Sequence, residues 1–274
     1  MPELPEVETV RRILSAEIGG QPIRSVRVTH LRMLRRQPVG TDFVDRMRGR
    51  RVTGVDRHGK FLLSRLDGGV TWVMHLGMSG RVELVDPDHH AVPHTHVRVG
   101  IGASEVRLID PRTFGFTAAV TTHELRTFEQ HLGPDAFLEL PSAAALAGSL
   151  RGRRASVKAL LLDQRIIAGL GNIYTDEILF RAGIRGLRSA GSLARTEIGR
   201  LHDAIGPVLD EALRNGGTTL NDLAFLLPDG RAAGDLDRLS VYGRQGAPCR
   251  KCGNPIRRSM VVGRSTFWCP TCQK

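Results

Sequence analysis

The chain has 274 residues, which is enough for one large or two ordinary domains and excludes an array of many domains. It carries 39 Lys and Arg against 28 Asp and Glu, a formal charge of +11, on a chain that is 41% hydrophobic and therefore typical of a globular protein. This charge favours a polyanionic partner, nucleic acid first, although ribosome-associated and membrane-surface proteins share it.

The first predicted element is an amphipathic helix with Pro5 in its first turn. Apolar residues recur at helical spacing from Val7 to Ala16, and Gly19-Gly20 ends the run. The acidic start of this segment is unlike a signal peptide, and no run of about 18 apolar residues occurs in the sequence. We therefore expect a soluble, cytoplasmic protein.

Short β-branched runs separated by turn residues follow, from residue 22 to about residue 120. This pattern predicts an all-β sandwich or barrel. The predicted strands are Ile23 to Val28, Arg51 to Val55, Phe61 to Leu66, Val70 to His75, Val82 to Val85, Val97 to Ile101 and Val106 to Ile109.

A second, helical domain is predicted after the break in periodicity at His131 to Asp135, where the chain becomes rich in Ala, Leu and Arg up to about Arg214. Residues 215 to 240 contain Gly216-Gly217 and Pro228-Asp229-Gly230, which is typical of a long functional loop. We predict an α+β fold with three parts: an N-terminal helix plus β-sandwich domain at 1–132, a helical domain at 133–240 with its loop near 217–240, and a cysteine module at 241–274.

The cysteine module predicts a structural zinc site. The four cysteines of the chain form two pairs with two-residue spacing, and 16 residues separate the pairs. This spacing lies in the window for tetrahedral Zn²⁺, and four thiolate ligands leave no open position for a catalytic water. The predicted ligands are Cys249, Cys252, Cys269 and Cys272. The sequence between the pairs predicts a hairpin that turns at Gly263 and presents Arg264 at its tip, either as a solvated side chain or as a phosphate contact.

The N-terminus carries the residues of a candidate nucleophilic site. Methionine followed by proline favours removal of the initiator residue, which would expose Pro2 as a secondary amine. Such an amine titrates near 7.7 to 8, so a useful fraction is neutral. The helix dipole disfavours the ammonium form, whereas Glu3 and Glu6 favour it, and the net direction stays open. The two carboxyl groups could also move protons, although Pro-Glu pairs commonly do no more than begin a helix.

Several motifs occur together along the chain. They are MPELPEVETV, His75-Leu76-Gly77-Met78-Ser79-Gly80, Asp110-Pro111-Arg112-Thr113-Phe114-Gly115, Gly169-Leu170-Gly171-Asn172-Ile173-Tyr174, Val241-Tyr242-Gly243-Arg244 and the cysteine module. In this order the sequence resembles the bacterial formamidopyrimidine-DNA glycosylases from Met1 to Lys274. The resemblance implies a two-lobed enzyme with a catalytic β-sandwich, a helix-two-turns-helix DNA-binding domain and a zinc hairpin, with DNA between the lobes.

The resemblance also implies an activity. Such an enzyme removes oxidised purines, 8-oxoguanine and formamidopyrimidines, and then cleaves the strand at the abasic sugar by β and δ elimination. By matching motif positions, Pro2 is the Schiff-base nucleophile, Glu3 and Glu6 move protons, and Lys60 lies beside Pro2 and binds the DNA backbone. Damaged double-stranded DNA is the implied partner, one structural Zn²⁺ the implied cofactor, and a monomer acting at the bacterial nucleoid the expected form.

The resemblance assigns further DNA contacts. Asn172, a plausible helix N-cap, and Arg264 match residues that hold phosphates beside the lesion, and Lys158 matches a lysine near the DNA. Tyr242 belongs to a matching motif and is taken as a DNA-binding residue. Three residues match those that fill the hole left by the extruded base: Met78, Arg112 and Phe114. Without the resemblance, Met78 and Phe114 would more often be core residues.

The sequence departs from the family pattern at two places. Thr113 stands where a second arginine is usual. Ala233-Gly234-Asp235 stands where many members have Gly-Tyr-Phe to cap the extruded purine, and the loss of that stacking, about 1 to 3 kcal/mol per base, weakens the expectation of 8-oxoguanine preference.

Two other functions stay open at this point: the oxidised-pyrimidine preference of endonuclease VIII, and a catalytically silent DNA-binding protein. The loop at His89 to His96, with four histidines, invites a second metal site, but nothing else in the sequence supports one. Lesion ranking, opposite-base preference and oligomeric state do not follow from the sequence.

Overall fold

The computed structural model describes residues 2–218, 226–234 and 236–274. The chain forms two compact units, one containing the chain up to Gln130 together with Asn215–Gly234, and the other containing His131–Arg214 and Asp235–Lys274. The division predicted at residues 132 and 240 stays a prediction. No helix within the described ranges has both the length and the apolar character that crossing a bilayer requires.

The first unit is the predicted helix plus β-sandwich, so the predicted fold class is confirmed. Its helices are α1 (Leu4–Ile18), α2 (Phe43–Met47) and α3 (Thr122–Glu129), and its strands are β1 (Ile23–Val28), β2 (Val52–His58), β3 (Phe61–Leu66), β4 (Val70–His75), β5 (Arg81–Val85), β6 (Thr95–Ile101), β7 (Ser104–Ile109) and β8 (Phe116–Thr121). Helices α2 and α3 and strand β8 were not predicted from the sequence, and the other strands lie within about two residues of their predicted bounds, apart from the three-residue extension of β2.

The strands form two antiparallel four-stranded sheets, in the orders β1-β6-β7-β5 and β2-β3-β4-β8. Their facing sides share one apolar core, to which Trp72 of β4 and Val99 of β6 both belong. The apolar side of α1 joins the same core, because Val7, Val10 and Leu14 recur at helical spacing and are almost fully buried. The core thereby fixes the start of α1 against the sandwich.

The second unit is helical and ends in a two-stranded hairpin. Its helices are α4 (Ala143–Leu150), α5 (Val157–Leu162), α6 (Asn172–Ala182) and α7 (Arg195–Arg214), and its strands are β9 (Arg257–Val261) and β10 (Arg264–Trp268). One detail of the prediction was wrong: Gly171, not Asn172, is the N-cap of α6, and Asn172 is its first helical residue. The extended backbone of Gly171 begins the helix without a side-chain cap.

Residues 226–234 pack as part of the first unit. Leu227 and Ala233 are buried in the sandwich core, and the Leu84 N–H of β5 donates to the Pro228 carbonyl at 2.8 Å. This part of the predicted loop is therefore a packed segment. Residues 219–225 and Asp235 of the predicted lesion-capping loop lie outside the described residues.

Candidate active site

The side chains at the start of α1 are buried and tied to the backbone. Pro2, Glu3 and Glu6 are all buried, with Glu3 and Glu6 each 1% exposed. The Glu3 N–H donates to Glu6 Oε2 at 2.7 Å, and the Thr218 N–H donates to Glu6 Oε1, also at 2.7 Å. Because both carboxylate oxygens accept backbone hydrogen bonds, Glu6 is fixed in one orientation next to the first residues of the chain.

Gly217 makes the second of these contacts possible. Its φ of 93° lies in a region that side chains rarely adopt, and a Cβ at this position would lie 2.6 Å from Glu6 Oε1. Only glycine therefore allows the backbone to approach Glu6 closely enough for the Thr218 N–H to reach it.

The turn that contains Lys60 is linked to α1 by Arg57. The fully buried Arg57 side chain donates from Nε to Glu8 Oε2 at 3.1 Å and from Nη1 to the Gly59 carbonyl at 2.9 Å. Burial alone would raise the pKa of Glu8, but hydrogen bonds from Arg11, Arg12 and Arg57 outweigh it and lower the pKa below its usual range. A buried ion pair thus fixes the turn before Lys60 relative to the helix that begins at the candidate nucleophile.

His75 is a neutral, half-buried residue near Lys60 that the sequence analysis did not select. Burial and then the positive charges of Lys60, Arg36 and Arg35 lower its pKa to about 4. Its Nδ1 accepts a hydrogen bond from the Gly77 N–H at 3.1 Å, which places the ring proton on Nε2. A neutral imidazole therefore connects β4 to the loop that follows it.

The three predicted void-filling residues, Met78, Arg112 and Phe114, come from two adjoining loops of the first unit. Met78 is half-buried in the loop at residues 76–80, and the exposed Arg112 and Phe114 belong to the loop at residues 110–115. The Arg112 guanidinium lies 4.6 Å from the Phe114 ring centre, within cation–π range. Phe114 is 43% exposed, which is unusual for so large an apolar side chain and agrees with a contact surface rather than a core position.

In the second unit, Asn172 and Tyr242 lie together. The Asn172 Nδ2 is 3.5 Å from the Tyr242 hydroxyl, and Asn172 Oδ1 is a buried atom without a hydrogen-bond partner among the described residues. Such an acceptor at the first turn of an 11-residue helix is an incomplete arrangement that a bound hydrogen-bond donor or water would complete.

Lys158 is buried and does not lie on the surface. Its Nζ donates to Asp176 Oδ1 at 2.7 Å and to the Ser265 carbonyl at 2.8 Å, and Asp176 Oδ2 accepts from the Phe267 N–H at 2.8 Å. Burial raises the pKa of Asp176 to about 7, against the opposing effect of Lys158. Within this structure Lys158 therefore connects α5 and α6 to strand β10, next to Arg264.

Glu177 makes an equivalent connection to the start of the cysteine module. Its carboxylate accepts from the N–H groups of Ser240, Val241 and Tyr242 at 2.8 to 2.9 Å. No local sequence pattern indicates this role, because the three N–H donors lie 63 to 65 positions away from Glu177.

The hairpin has the predicted form. Strands β9 and β10 pair from Trp268↔Arg257 to Arg264↔Val261, and both turn residues have positive φ, 46° at Val262 and 69° at Gly263. This is the geometry of a type I′ turn. Arg264 is exposed as the first residue after the turn, as predicted.

The four cysteines fit one tetrahedral metal ion. Their Sγ atoms all lie within 4.8 Å of one another, with 3.9 Å between Cys249 and Cys272 and 3.5 Å between Cys252 and Cys269. Zn–S bonds of about 2.3 Å require sulfur separations of about 3.8 Å. Burial and then the neighbouring thiols raise the pKa of Cys272, and a cation bound at the centre would favour the thiolate form. Within the described residues this is the one cluster of His, Cys, Asp and Glu close enough to hold a metal ion.

Comparison with known proteins gives the same family for every part of the chain. Residues 1–117 match the formamidopyrimidine-DNA glycosylase N-terminal domain, residues 132–223 the H2TH domain of the same enzymes, and residues 246–274 the zinc finger found in FPG and IleRS. The formamidopyrimidine-DNA glycosylase of Thermus thermophilus is 44% identical over 278 residues, covering all of this chain and 98% of the relative. That of Gluconobacter oxydans is 41% identical over 281 residues, covering both chains fully.

The chain belongs to the formamidopyrimidine-DNA glycosylase family. Solved structures agree with this assignment. The Thermus thermophilus MutM (FPG) protein has a TM-score of 0.89 at 42% identity, covering 99% of this chain and 98% of that one. A Lactococcus lactis Fpg in complex with DNA containing an abasic site has a TM-score of 0.90 at 32% identity over both full chains. This glycosylase is therefore a base-excision-repair enzyme with a C-terminal zinc-finger site.

The structure distributes the predicted site residues of this glycosylase over both units. The first unit contains Pro2, Glu3, Glu6, Lys60, Met78, Arg112 and Phe114, and the second contains Lys158, Asn172, Tyr242, Arg264 and the four cysteines. Sequence reasoning missed the residues that hold these side chains in place, Arg57, His75, Asp110 and Glu177 among them. Arg57, Asp110 and Glu177 each contact a residue at least 31 positions away, which no local pattern reveals, whereas His75 contacts Gly77 two positions along the chain.

Proposed function

We propose that this glycosylase is also an abasic-site lyase that uses the nitrogen of Pro2, exposed by removal of Met1, as its nucleophile. The observation that carries the proposal is the arrangement at the start of α1, where Pro2 is buried beside Glu3 and the doubly hydrogen-bonded Glu6. Removal of Met1 would leave Pro2 as a secondary amine next to two carboxyl groups, which supplies what Schiff-base chemistry on a sugar requires: a nucleophile, a proton donor and a proton acceptor.

The reaction begins with attack of the neutral Pro2 nitrogen on C1′ of the damaged nucleotide. The glycosidic bond breaks, and the base leaves with its bonding electron pair and takes up a proton. The Pro2 nitrogen, now bonded to C1′, gives up its own proton and becomes neutral again. Opening of the sugar ring, with a proton delivered to O4′, gives a positively charged iminium between Pro2 and C1′. We assign these proton transfers to Glu3 and Glu6.

Strand cleavage follows from the same iminium. The positive charge makes the C2′ protons acidic, and removal of one expels the 3′ phosphate in a β elimination. Loss of a proton from C4′ then expels the 5′ phosphate in a δ elimination. Hydrolysis of the remaining imine regenerates Pro2, so the two eliminations require no external oxidant or reductant.

We propose damaged double-stranded DNA as the substrate and oxidised purines as the bases removed. Related structures support this class, since one Lactococcus lactis Fpg complex holds DNA containing Fapy-dG and another holds DNA containing an abasic site. The basic charge of +11 supports a polyanionic substrate. Lys60, Asn172, Tyr242 and Arg264 are the proposed backbone contacts, Met78, Arg112 and Phe114 the residues that fill the vacated position in the stack, and Lys158 acts through the hairpin.

The proposed chemistry draws all its side chains from one chain, so we propose a monomer as the acting form. A duplex-DNA substrate places its proposed site of action at the bacterial nucleoid.

Borohydride trapping tests the proposal. The wild-type protein is incubated with duplexes that carry 8-oxoguanine, a formamidopyrimidine, an oxidised pyrimidine or a plain abasic site, and covalent protein–DNA product is quantified. We expect trapping on the first two and on the abasic duplex, and mass spectrometry should find Pro2 as the first residue. The Pro2→Gly variant should trap far less.

Three results of these experiments would each contradict a different part of the proposed function. No trapping on any duplex, with DNA binding retained, would identify a silent DNA-binding protein. Release of oxidised pyrimidines alone would contradict the purine assignment but leave the lyase chemistry intact. Retention of Met1 in a fully active preparation would exclude Pro2 as the nucleophile.

A further inference from the structure

The two loops that carry the void-filling residues share one buried carboxylate. Asp110 is fully buried, and its Oδ1 accepts from Ser79 Oγ at 2.6 Å and from the Arg112 N–H at 3.2 Å. Its Oδ2 accepts from the Gly115 N–H at 2.6 Å. Ser79 follows Met78 directly, so a single side chain connects the loop of Met78 to the loop of Arg112 and Phe114.

The same loops are also in direct backbone contact. Gly77 has φ of 64°, and a Cβ there would lie 2.4 Å from the Gly115 nitrogen. Neither loop can shift toward the other, and the shared hydrogen bonds of Asp110 oppose their separation. The two loops are therefore one mechanical element.

The 110–115 loop is conformationally strained. Thr113 has φ of 52°, in the left-handed region, which is unfavourable for a β-branched residue by about 1 to 3 kcal/mol. A loop with such strain keeps its shape only when groups outside it restrain it. Asp110 restrains it from the inside of the unit.

Arg35 restrains the loop from the outer side. Its guanidinium donates from Nη1 to the Gly115 carbonyl at 2.5 Å and from Nη2 to the Phe114 carbonyl at 2.6 Å. Burial and then the nearby charges of Arg32 and Arg36 lower the pKa of Arg35, whereas the charge of Asp110 acts in the opposite direction. The planar fork of arginine suits two successive carbonyl groups, which a lysine ammonium cannot bind in the same way.

We propose that Arg35 is a positioning residue that, together with Asp110, fixes Met78, Arg112 and Phe114 as one rigid element for insertion into the DNA stack. This inference rests on the proposed function. Extruding a base leaves a hole that costs a few kcal/mol until it is filled. An element that is already rigid loses less conformational entropy on filling it, so the clamp lowers the barrier to extrusion.

The test compares substrates that do and do not need extrusion. Base release from a lesion duplex is measured in single turnover, and strand cleavage is measured at an abasic site in single-stranded DNA. We expect Arg35→Ala to slow base release about 10- to 100-fold, as expected for a displaced contact group, and to leave single-strand cleavage unchanged. Ser79→Ala removes only the hydrogen bond between the loops. It should also slow base release relative to single-strand cleavage.

Two matched variants separate positioning from charge. Arg32→Ala removes a charge from the same segment and should behave as the wild type. Arg35→Lys keeps the charge without the fork and should resemble Arg35→Ala. Equal effects of Arg35→Ala and Arg32→Ala, an equal loss on both substrates, or full rescue by lysine would each overturn the proposal.

A readout that does not require chemistry distinguishes this inference from the proposed function. A duplex with 2-aminopurine beside a tetrahydrofuran abasic analogue reports insertion through its fluorescence. Wild-type protein should change this signal, and Arg35→Ala should reduce the change at saturating protein concentration. If wild type releases no base, the proposed function fails, whereas an unaltered 2-aminopurine signal in Arg35→Ala overturns the clamp.

Discussion

Two backbone N–H groups hold the Glu6 carboxylate, and only one of them has a local origin. The Glu3 contact follows from helix geometry, because a residue in the first turn can reach back to the residue that precedes the helix. The Thr218 contact joins residues 212 positions apart. The sequence therefore allowed Glu6 to be selected as a proton-transfer residue but gave no indication of what holds it.

Replacing Gly217 with alanine tests this contact. The added Cβ would collide with Glu6 and adopt an unfavourable φ, so we expect a loss of about 1 to 3 kcal/mol in the free energy of unfolding and a reduced rate of strand cleavage. Gly216→Ala is the matched control, since Gly216 also has positive φ, 74°, but its Cβ would meet Leu227 at 3.4 Å and not Glu6. It should lose stability and keep its rate; a similar loss of rate in both variants would count against a role for the Glu6 contact.

A pH dependence is expected from Glu8, whose pKa in the folded state is below its ordinary 4.5. Its ion pair with Arg57 therefore contributes stability at pH above 4.5, and this contribution disappears as the pH falls through the lower folded-state value. Urea denaturation of the wild type and Glu8→Gln should show the full difference in stability at pH 7 and a shrinking difference in acid. A difference that stays constant down to pH 2 would contradict this assignment.

At the scale of elements, α6 is the support of the cysteine module. Adjacent residues Asp176 and Glu177 contact β10 and the segment 240–242, respectively. Helix α6 and the hairpin were each predictable, the first from its apolar periodicity and the second from cysteine spacing. Their connection was not predictable, because the groups in β10 and at residues 240–242 that Asp176 and Glu177 contact lie more than 60 positions away in the sequence.

We expect Lys158 to stabilise the second unit through its ion pair with Asp176. Lys158→Met leaves a buried carboxylate without its counter-charge, which should destabilise the second unit by about 3 to 5 kcal/mol. In the double variant with Asp176→Asn the neutral amide oxygen still accepts from the Phe267 N–H, so part of the loss should be recovered. Denaturation and the rate of zinc release to a chelator measure both effects. Additive losses in the double variant would show that the two residues act separately.

At the scale of the whole molecule, the fold class could be predicted from the sequence, but not every strand and helix. Short β-branched runs bounded by turn residues predicted β1 to β7, including β4 and β7, which are buried on both faces. Strand β8, Phe116–Thr121, was missed because it is also buried on both sides and shows no alternation, and because Ala118 and Ala119 interrupt its residues of high β-propensity. Helix α2 has five residues, too few for a periodic signal.

Zinc removal should affect the two units differently. The chain has two tryptophans, Trp72 in the sandwich core and Trp268 in the hairpin, so single-tryptophan variants report each unit separately. Chelation or Cys249→Ser should shift the Trp268 emission to longer wavelength and weaken DNA binding, and the Trp72 emission should not change. A shift of both the Trp268 and the Trp72 emission would show that the metal ion stabilises both units.

The placement of residues 215–234 has a consequence for dividing the chain. This segment follows α7 of the second unit, yet it packs in the first unit. Leu227 and Ala233 are buried in the core of the first unit, and the Thr218 N–H donates to the Glu6 carboxylate. A fragment that stops at Gln130 would therefore have a gap in its hydrophobic core. It would also lose one of the two backbone hydrogen bonds that hold the Glu6 carboxylate. Gene truncation cannot yield a native catalytic half, and recombination between relatives should preserve function only when both stretches come from the same parent.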